Sequence, residues 1–199
     1  QFGFDRVKRC FGTAVFQPLD GPVENTDEGL EIFDQVAVDH QLTPVVSVKL
    51  DKIEQDILTA ASSGYPISRV FLADGDAMSL PFNRLKAICE LINTHLPSVT
   101  RISSYCLPRN LKNKTVEQLI ELKTMGLSLL YVGCESGDDE VLKRIQKGED
   151  YQSSLEALTK IRQAGMKSSV MILMGLGGEN LSTQHAIASA KLMNANHPD

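Results

Sequence analysis

Residues 128–137 read S-L-L-Y-V-G-C-E-S-G, and the fold turns on that stretch. Leu129, Leu130, Tyr131 and Val132 form an apolar run too short to stand as a helix. Gly126 lies just before it and Gly133 directly after, so the run predicts a strand buried on both faces, as in parallel sheets. Small and polar residues follow at once: Cys134, Glu135, Ser136 and Gly137. α/β proteins commonly place their chemistry where a parallel strand ends in such residues. Taken alone, Glu135 reads equally well as a solvated loop acid.

Outward from this strand, helical and extended patterns alternate. Upstream, residues 115–126 read as a helix opened by a capping box of Thr115 and Gln118 and closed by Gly126. Residues 100–105 predict a strand less apolar than its neighbours, preceded by a helix from Pro81 to His95. Residues 68–73 predict another buried strand. Before it, Asp51 and Glu54 suggest a capping box for a helix ending near Gly64. Downstream come helices over 138–145 and 153–164, a strand over 168–174, a tight glycine turn over 175–178 and a last helix over 182–194. Residues 45–48 are a possible extended entry, and 30–38 a possible short helix. The rest of 1–43 fits neither period and is left unplaced, so the predicted barrel-like domain spans 44–199.

Strand and helix recur at the spacing of βαβ units, which implies parallel strands joined by right-handed crossovers. The fold class is therefore α/β, as a partial or full barrel or as an open doubly wound sheet. In either closure the segments after the strands share one edge. That edge would hold 74–77, 105–110, 133–137 and 175–178.

The chain has 199 residues, 42% hydrophobic and 23% charged, with a net charge of −5, enough for a real core and with no electrostatic footprint for nucleic acid. No apolar run approaches the roughly 20 residues of a membrane span, and no signal peptide opens the chain. It begins at Gln1 rather than Met, as a processed, trimmed or incomplete copy would. Cys10, Cys89, Cys106 and Cys134 form no C-x-x-C pair, which suggests reduced thiols in a reducing, cytoplasmic setting. The histidines show no zinc-ligand spacing.

At the shared edge, glycines let backbone approach a ligand, and 175–178 before a helix could receive an anion. That run matches neither G-x-G-x-x-G nor a P-loop, and a purely structural turn is an equal reading. Asp74, Asp76 and Glu135 could accept hydrogen bonds from an amine or from ribose hydroxyls. They could also bind a divalent ion, or Asp76 could cap the next helix.

Four blocks carry a resemblance: R-V-F-L-A-D-G-D-A at 69–77, R-I-S-S-Y at 101–105, L-L-Y-V-G-C-E-S-G-D-D-E-V-L-K-R-I-Q-K-G at 129–148 and I-L-M-G-L-G-G at 172–178. Together, in this order, they resemble the radical S-adenosylmethionine superfamily, in the branch holding the Elongator catalytic subunit and the oxygen-independent coproporphyrinogen oxidases. The resemblance implies a partial (βα)6 TIM-like barrel of parallel strands with outer helices. It also implies S-adenosylmethionine and a [4Fe–4S] cluster as cofactors, a 5′-deoxyadenosyl radical as product of their reaction, an electron donor, and a substrate it does not specify. By resemblance, Asp74, Gly75, Asp76 and Ala77 fall at the segment contacting the methionine amino group. Glu135, with Ser136 beside it, falls at the ribose hydroxyls. Ile172, Gly175 and Gly177 fall near the adenine.

One departure stands out. The family's cluster is held by a C-x-x-x-C-x-x-C run after the first strand, and no cysteine lies between Cys10 and Cys89. The reading adopted is that the cluster loop is missing from this sequence, which also stops before a sixth strand would be complete. The rival readings are a hydrolase or lyase using a divalent ion on Asp74, Asp76 and Glu135, and a degenerate, non-catalytic binding module.

Overall fold

The computed structural model describes residues 49–73 and 76–199 in full and residues 14–18 as backbone. The expected helix over 30–38, the extended entry over 45–48, and Asp74 and Gly75 lie outside the described residues. Among the described residues, five strands and six helices follow in order: β1 (Ala14–Pro18), α1 (Leu50–Ala61), β2 (Ile67–Leu72), α2 (Phe82–His95), β3 (Arg101–Cys106), α3 (Val116–Thr124), β4 (Leu127–Glu135), α4 (Asp139–Arg144), α5 (Tyr151–Gln163), β5 (Lys167–Ile172) and α6 (Gly178–Asn196). Short 3₁₀ turns follow β2 (Ala77–Ser79) and β3 (Pro108–Leu111).

The strands form one sheet in the order β1-β2-β3-β4-β5. β2 to β5 run parallel, as the βαβ rhythm requires, in a partial TIM-like α/β arrangement. β1 pairs with β2 in the antiparallel sense, an edge strand that the alternation did not anticipate.

One sheet face carries Val70, Leu72, Ile102, Leu130 and Val132, packed on Leu85, Ile92, Leu119, Leu122, Leu158 and Ile161 of the helices in a single buried cluster that also takes in Ile67. Each such side chain contributes roughly 1.5–3 kcal/mol when fully buried. The other face carries the rings of Phe71, Tyr105 and Tyr131, with centroids 4.8 to 6.2 Å apart. β4 is therefore not buried on both faces. Its burial alternates, with Leu130, Val132 and Cys134 inside and Leu129, Tyr131 and Gly133 half-exposed.

Several boundaries differ from the sequence reading, each for a local reason. β4 continues through Gly133 to Glu135, because its pairing with β5 shifts register there instead of ending. α1 opens at Leu50, so Asp51 lies inside the first turn, where its charge suits the helix dipole, and no side chain caps the helix. Glu54 instead meets His95 Nε2 at 3.0 Å. α5 starts at Tyr151, two residues before the predicted 153, because Asp150 and Ser153 form a reciprocal cap. β5 ends at Ile172 and α6 begins at Gly178, so the glycine run leads directly into the helix. The Thr115–Gln118 box is present in both directions. Among the described residues no helix is long and apolar enough to cross a membrane.

Candidate functional site

Because β2 to β5 are parallel, Asp76, Arg109, Asn110, Glu135 and Gly175 all lie at or just beyond strand C-termini on one edge. Hydrogen bonds join them side by side. Asn110 Nδ2 donates to Asp76 Oδ2 at 2.6 Å, which links the ends of β2 and β3. Arg109 donates through Nη1 to the Lys147 carbonyl at 3.1 Å. Lys147 Nζ in turn donates to Glu135 Oε1 at 3.0 Å. Glu135 O accepts from Leu173 N at 2.9 Å, tying β4 to the segment after β5.

Asp76 opens the turn Ala77–Ser79 without capping it through its side chain, so the capping role does not hold. Its Oδ1 is buried with no partner among the described residues. A buried carboxylate oxygen left unpaired costs free energy until a donor reaches it. An ammonium group is the donor that suits it best.

Glu135 sits in the left-handed region at φ 65°, a conformation that costs a non-glycine residue roughly 1–3 kcal/mol. The bulge turns its side chain back across Gly133, where an added Cβ would lie 3.0 Å from Oε1 and 3.6 Å from Lys147 Nζ. Glycine at 133 makes room for the ion pair.

The remaining predicted residues divide. Ala77 and Ile172 are half-buried against the core, at the mouth of the edge. Gly175 is left-handed at φ 82° with open space around it, and Gly177 is the residue before α6. Ser136, by contrast, faces inward. It is fully buried, and its Oγ meets His185 Nδ1 at 2.8 Å and accepts from Asp138 N at 2.9 Å. It braces the site and does not line it. Lys147, Asn110 and His185 were not singled out from sequence. Asn110 lay within an edge loop, whereas His185 was read only for metal-ligand spacing, which it lacks.

A cavity of about 590 Å³ lies outboard of the β2 and β3 ends, bounded by Asp76, Phe82, Arg109, Asn110, Lys114 and Gln118. Asp76 borders both the cavity and the row, but Glu135 and Gly175 do not reach it. This cavity therefore reaches the ends of β2 and β3 but not the end of β4. Lys114 is buried and donates to the Met78 carbonyl at 2.8 Å and the Asn110 carbonyl at 3.1 Å. Desolvation lowers its pKa, an effect opposed by Cys106 and Asp76 nearby.

The three described thiols, Cys89, Cys106 and Cys134, do not suit an iron–sulfur cluster. Cys89 belongs to the α2 core, while Cys106 and Cys134 end β3 and β4 on the buried helix side, not at the mouth. Burial pushes Cys134 up to about 11 and Cys89 to about 12, with Cys106 also raised, so none is a ready thiolate. With no cysteine from 11 to 88, the chain offers no loop of three thiolates. Among the described residues no group of three or more His, Cys, Asp or Glu could hold a metal ion. A divalent ion on Asp76 and Glu135 is further opposed by the Lys147 ammonium already seated on Glu135.

The described residues thus form an α/β, partial TIM-like arrangement with the unpartnered Asp76 Oδ1 and the bulge-held Glu135 at its strand ends. The profile described as the Radical SAM superfamily matches residues 31–190, and the chain belongs to that superfamily. It is 26% identical over 152 residues to the heme chaperone HemW of Bacillus subtilis (strain 168), covering 74% of this chain and 40% of that protein. The fold is similar to coproporphyrinogen III oxidase (HemN) of Escherichia coli, a radical SAM enzyme, with TM-score 0.61 and 19% identity over 75% of this chain and 35% of that one. It is also similar to archaeal Elp3 of Methanocaldococcus infernus, with TM-score 0.51 and 14% identity, covering 74% of this chain and 39% of that one. These neighbours share the fold of the described residues. The chain spans less than half the length of each.

Proposed function

We propose that the strand-end row binds S-adenosylmethionine and that this domain is the cofactor-binding part of a radical SAM enzyme. The observation that carries the reading is the unbroken chain of contacts from Asp76 through Asn110, Arg109 and Lys147 to Glu135. Acceptors remote in sequence are held at fixed places along one edge.

In this reading Asp76 Oδ1 accepts from the methionine ammonium. Asn110 holds the other oxygen and so fixes the carboxylate's direction. Lys147 fixes Glu135 Oε1 and leaves Oε2 to accept from the ribose hydroxyls. The glycines of 175–178 allow backbone near Ile172 to approach the adenine. When bound, S-adenosylmethionine supplies an adenosyl group next to a sulfonium. The chain's residues bind and orient it. No step is assigned to a four-iron cluster, for which Cys89, Cys106 and Cys134 provide no site. The substrate, the electron donor and a cytoplasmic location belong to the proposal for the whole protein.

Calorimetric titration of S-adenosylmethionine tests the reading. Measurable binding, weakened about ten-fold or more by Glu135→Ala, supports it; that loss corresponds to about 1.4 kcal/mol. Binding unaffected by the substitution removes Glu135 from the site.

A further inference from the structure

α6 contacts the segment after β4 through His185, Ser189 and Gln184. His185 Nδ1 meets Ser136 Oγ at 2.8 Å, Ser189 Oγ accepts from Gly137 N at 3.0 Å, and Gln184 Nε2 donates to Asp138 Oδ1 at 3.0 Å. The approach is close: a Cβ on Gly137 would lie 2.8 Å from Ser189 N and would collide with the Ala188 carbonyl. His185, Ser136 and Ser189 are all buried.

The same helix begins at Gly178, at the end of the turn that follows β5. α6 therefore both grips the residues next to Glu135 and carries the turn beside Ile172. On the proposed reading these are the ribose and adenine ends of one ligand. Ser136 directly follows the left-handed Glu135 in the chain, and its Oγ is held by His185 Nδ1 and Asp138 N. The second nitrogen of His185, Nε2, is buried with no partner among the described residues. A histidine with one ring nitrogen unsatisfied is a poor choice for packing alone, since an apolar residue of similar size would avoid that cost.

We propose that His185 is a positioning residue for nucleoside binding. Through Ser136 it holds Glu135 in its left-handed conformation and sets the distance between Glu135 and the turn after β5. This inference rests on the S-adenosylmethionine reading above and adds a residue that touches no part of the ligand.

The test uses the full chain, with S-adenosylmethionine and S-adenosylhomocysteine as probes and thermal unfolding measured alongside. Asn can place a polar atom where Nδ1 lies, whereas Gln reaches the position of Nε2. His185→Asn should keep affinity for both probes within about three-fold, and His185→Gln should lose about ten-fold, at similar melting temperatures. If His185 acts through Glu135, the double variant Glu135→Ala/His185→Ala binds no worse than Glu135→Ala alone. Equal affinities for the Asn and Gln variants, or losses that multiply in the double variant, overturn the proposal. A Glu135→Ala variant that binds normally would instead overturn the underlying reading, and this inference with it.

Discussion

Glu135 and Lys147 form an ion pair of 3.0 Å whose side chains are only 18% and 17% exposed, at the end of the central strand. Such a pair is stiffer than a solvated one, and its worth depends on keeping both partners in place. The bulge before Glu135 and the missing Cβ at Gly133 make the arrangement possible.

Gly133→Ala is the mildest way to disturb that pair. The added methyl group sits 3.0 Å from Glu135 Oε1, so the carboxylate must move while the strand stays paired. Affinity for S-adenosylmethionine should fall several-fold with a stability change below about 1 kcal/mol. Calorimetry alongside thermal unfolding reads both quantities.

Asp76 and Glu135 should separate by ligand. Asp76→Asn removes the acceptor proposed for the amino group but leaves the nucleoside contacts alone. It should weaken S-adenosylmethionine about ten-fold and leave 5′-methylthioadenosine, which has no amino acid moiety, unaffected. Glu135→Ala should weaken both. A competition titration with the two compounds distinguishes the patterns, and an equal loss of both on Asp76→Asn would argue against its assigned role.

Gly137→Ala addresses how α6 is seated. Its Cβ would press on the backbone of residues 188 and 189, which cannot yield as a side-chain tip can. Overpacking of this kind costs about 1–3 kcal/mol, to be read from denaturant midpoints. A fully stable variant would show that the contact between α6 and the β4 end is loose.

The buried thiols predict an alkaline loss of stability. Folded Cys134 and Cys89 hold their protons up to about 11 and about 12, above the ordinary value of 9.0, chiefly because burial penalises the thiolate. Their contribution is fully present below pH 9 and is lost as pH rises through the folded values. Each costs about 1.4 kcal/mol per pH unit in that window. Cys89→Ala should flatten the fall in melting temperature between pH 9 and 11; an unchanged slope would contradict the assignment.

Much of this architecture was legible because periodicity and punctuation agreed. Leu129–Val132 between two glycines marked the central strand, and Thr115 with Gln118 marked α3. Asp76 and the block at 129–148 lie along the edge that the parallel topology produces. What stayed hidden depends on three-dimensional pairing. Nothing local shows that β4 passes Gly133, because the bulge exists only against β5. Lys147 and His185 reach Glu135 and Ser136 from helix ends and faces set by packing. Ser136 looked like a ligand contact because small polar residues suit both a mouth and a brace; its burial against α6 decides between them.

The most direct measurement is the structure of the chain bound to S-adenosylmethionine. The account predicts the amino group against Asp76 and the ribose hydroxyls within hydrogen-bond distance of Glu135, along the ends of β2 to β5. A ligand seated instead in the cavity between Phe82, Lys114 and Gln118, away from Glu135, would contradict it.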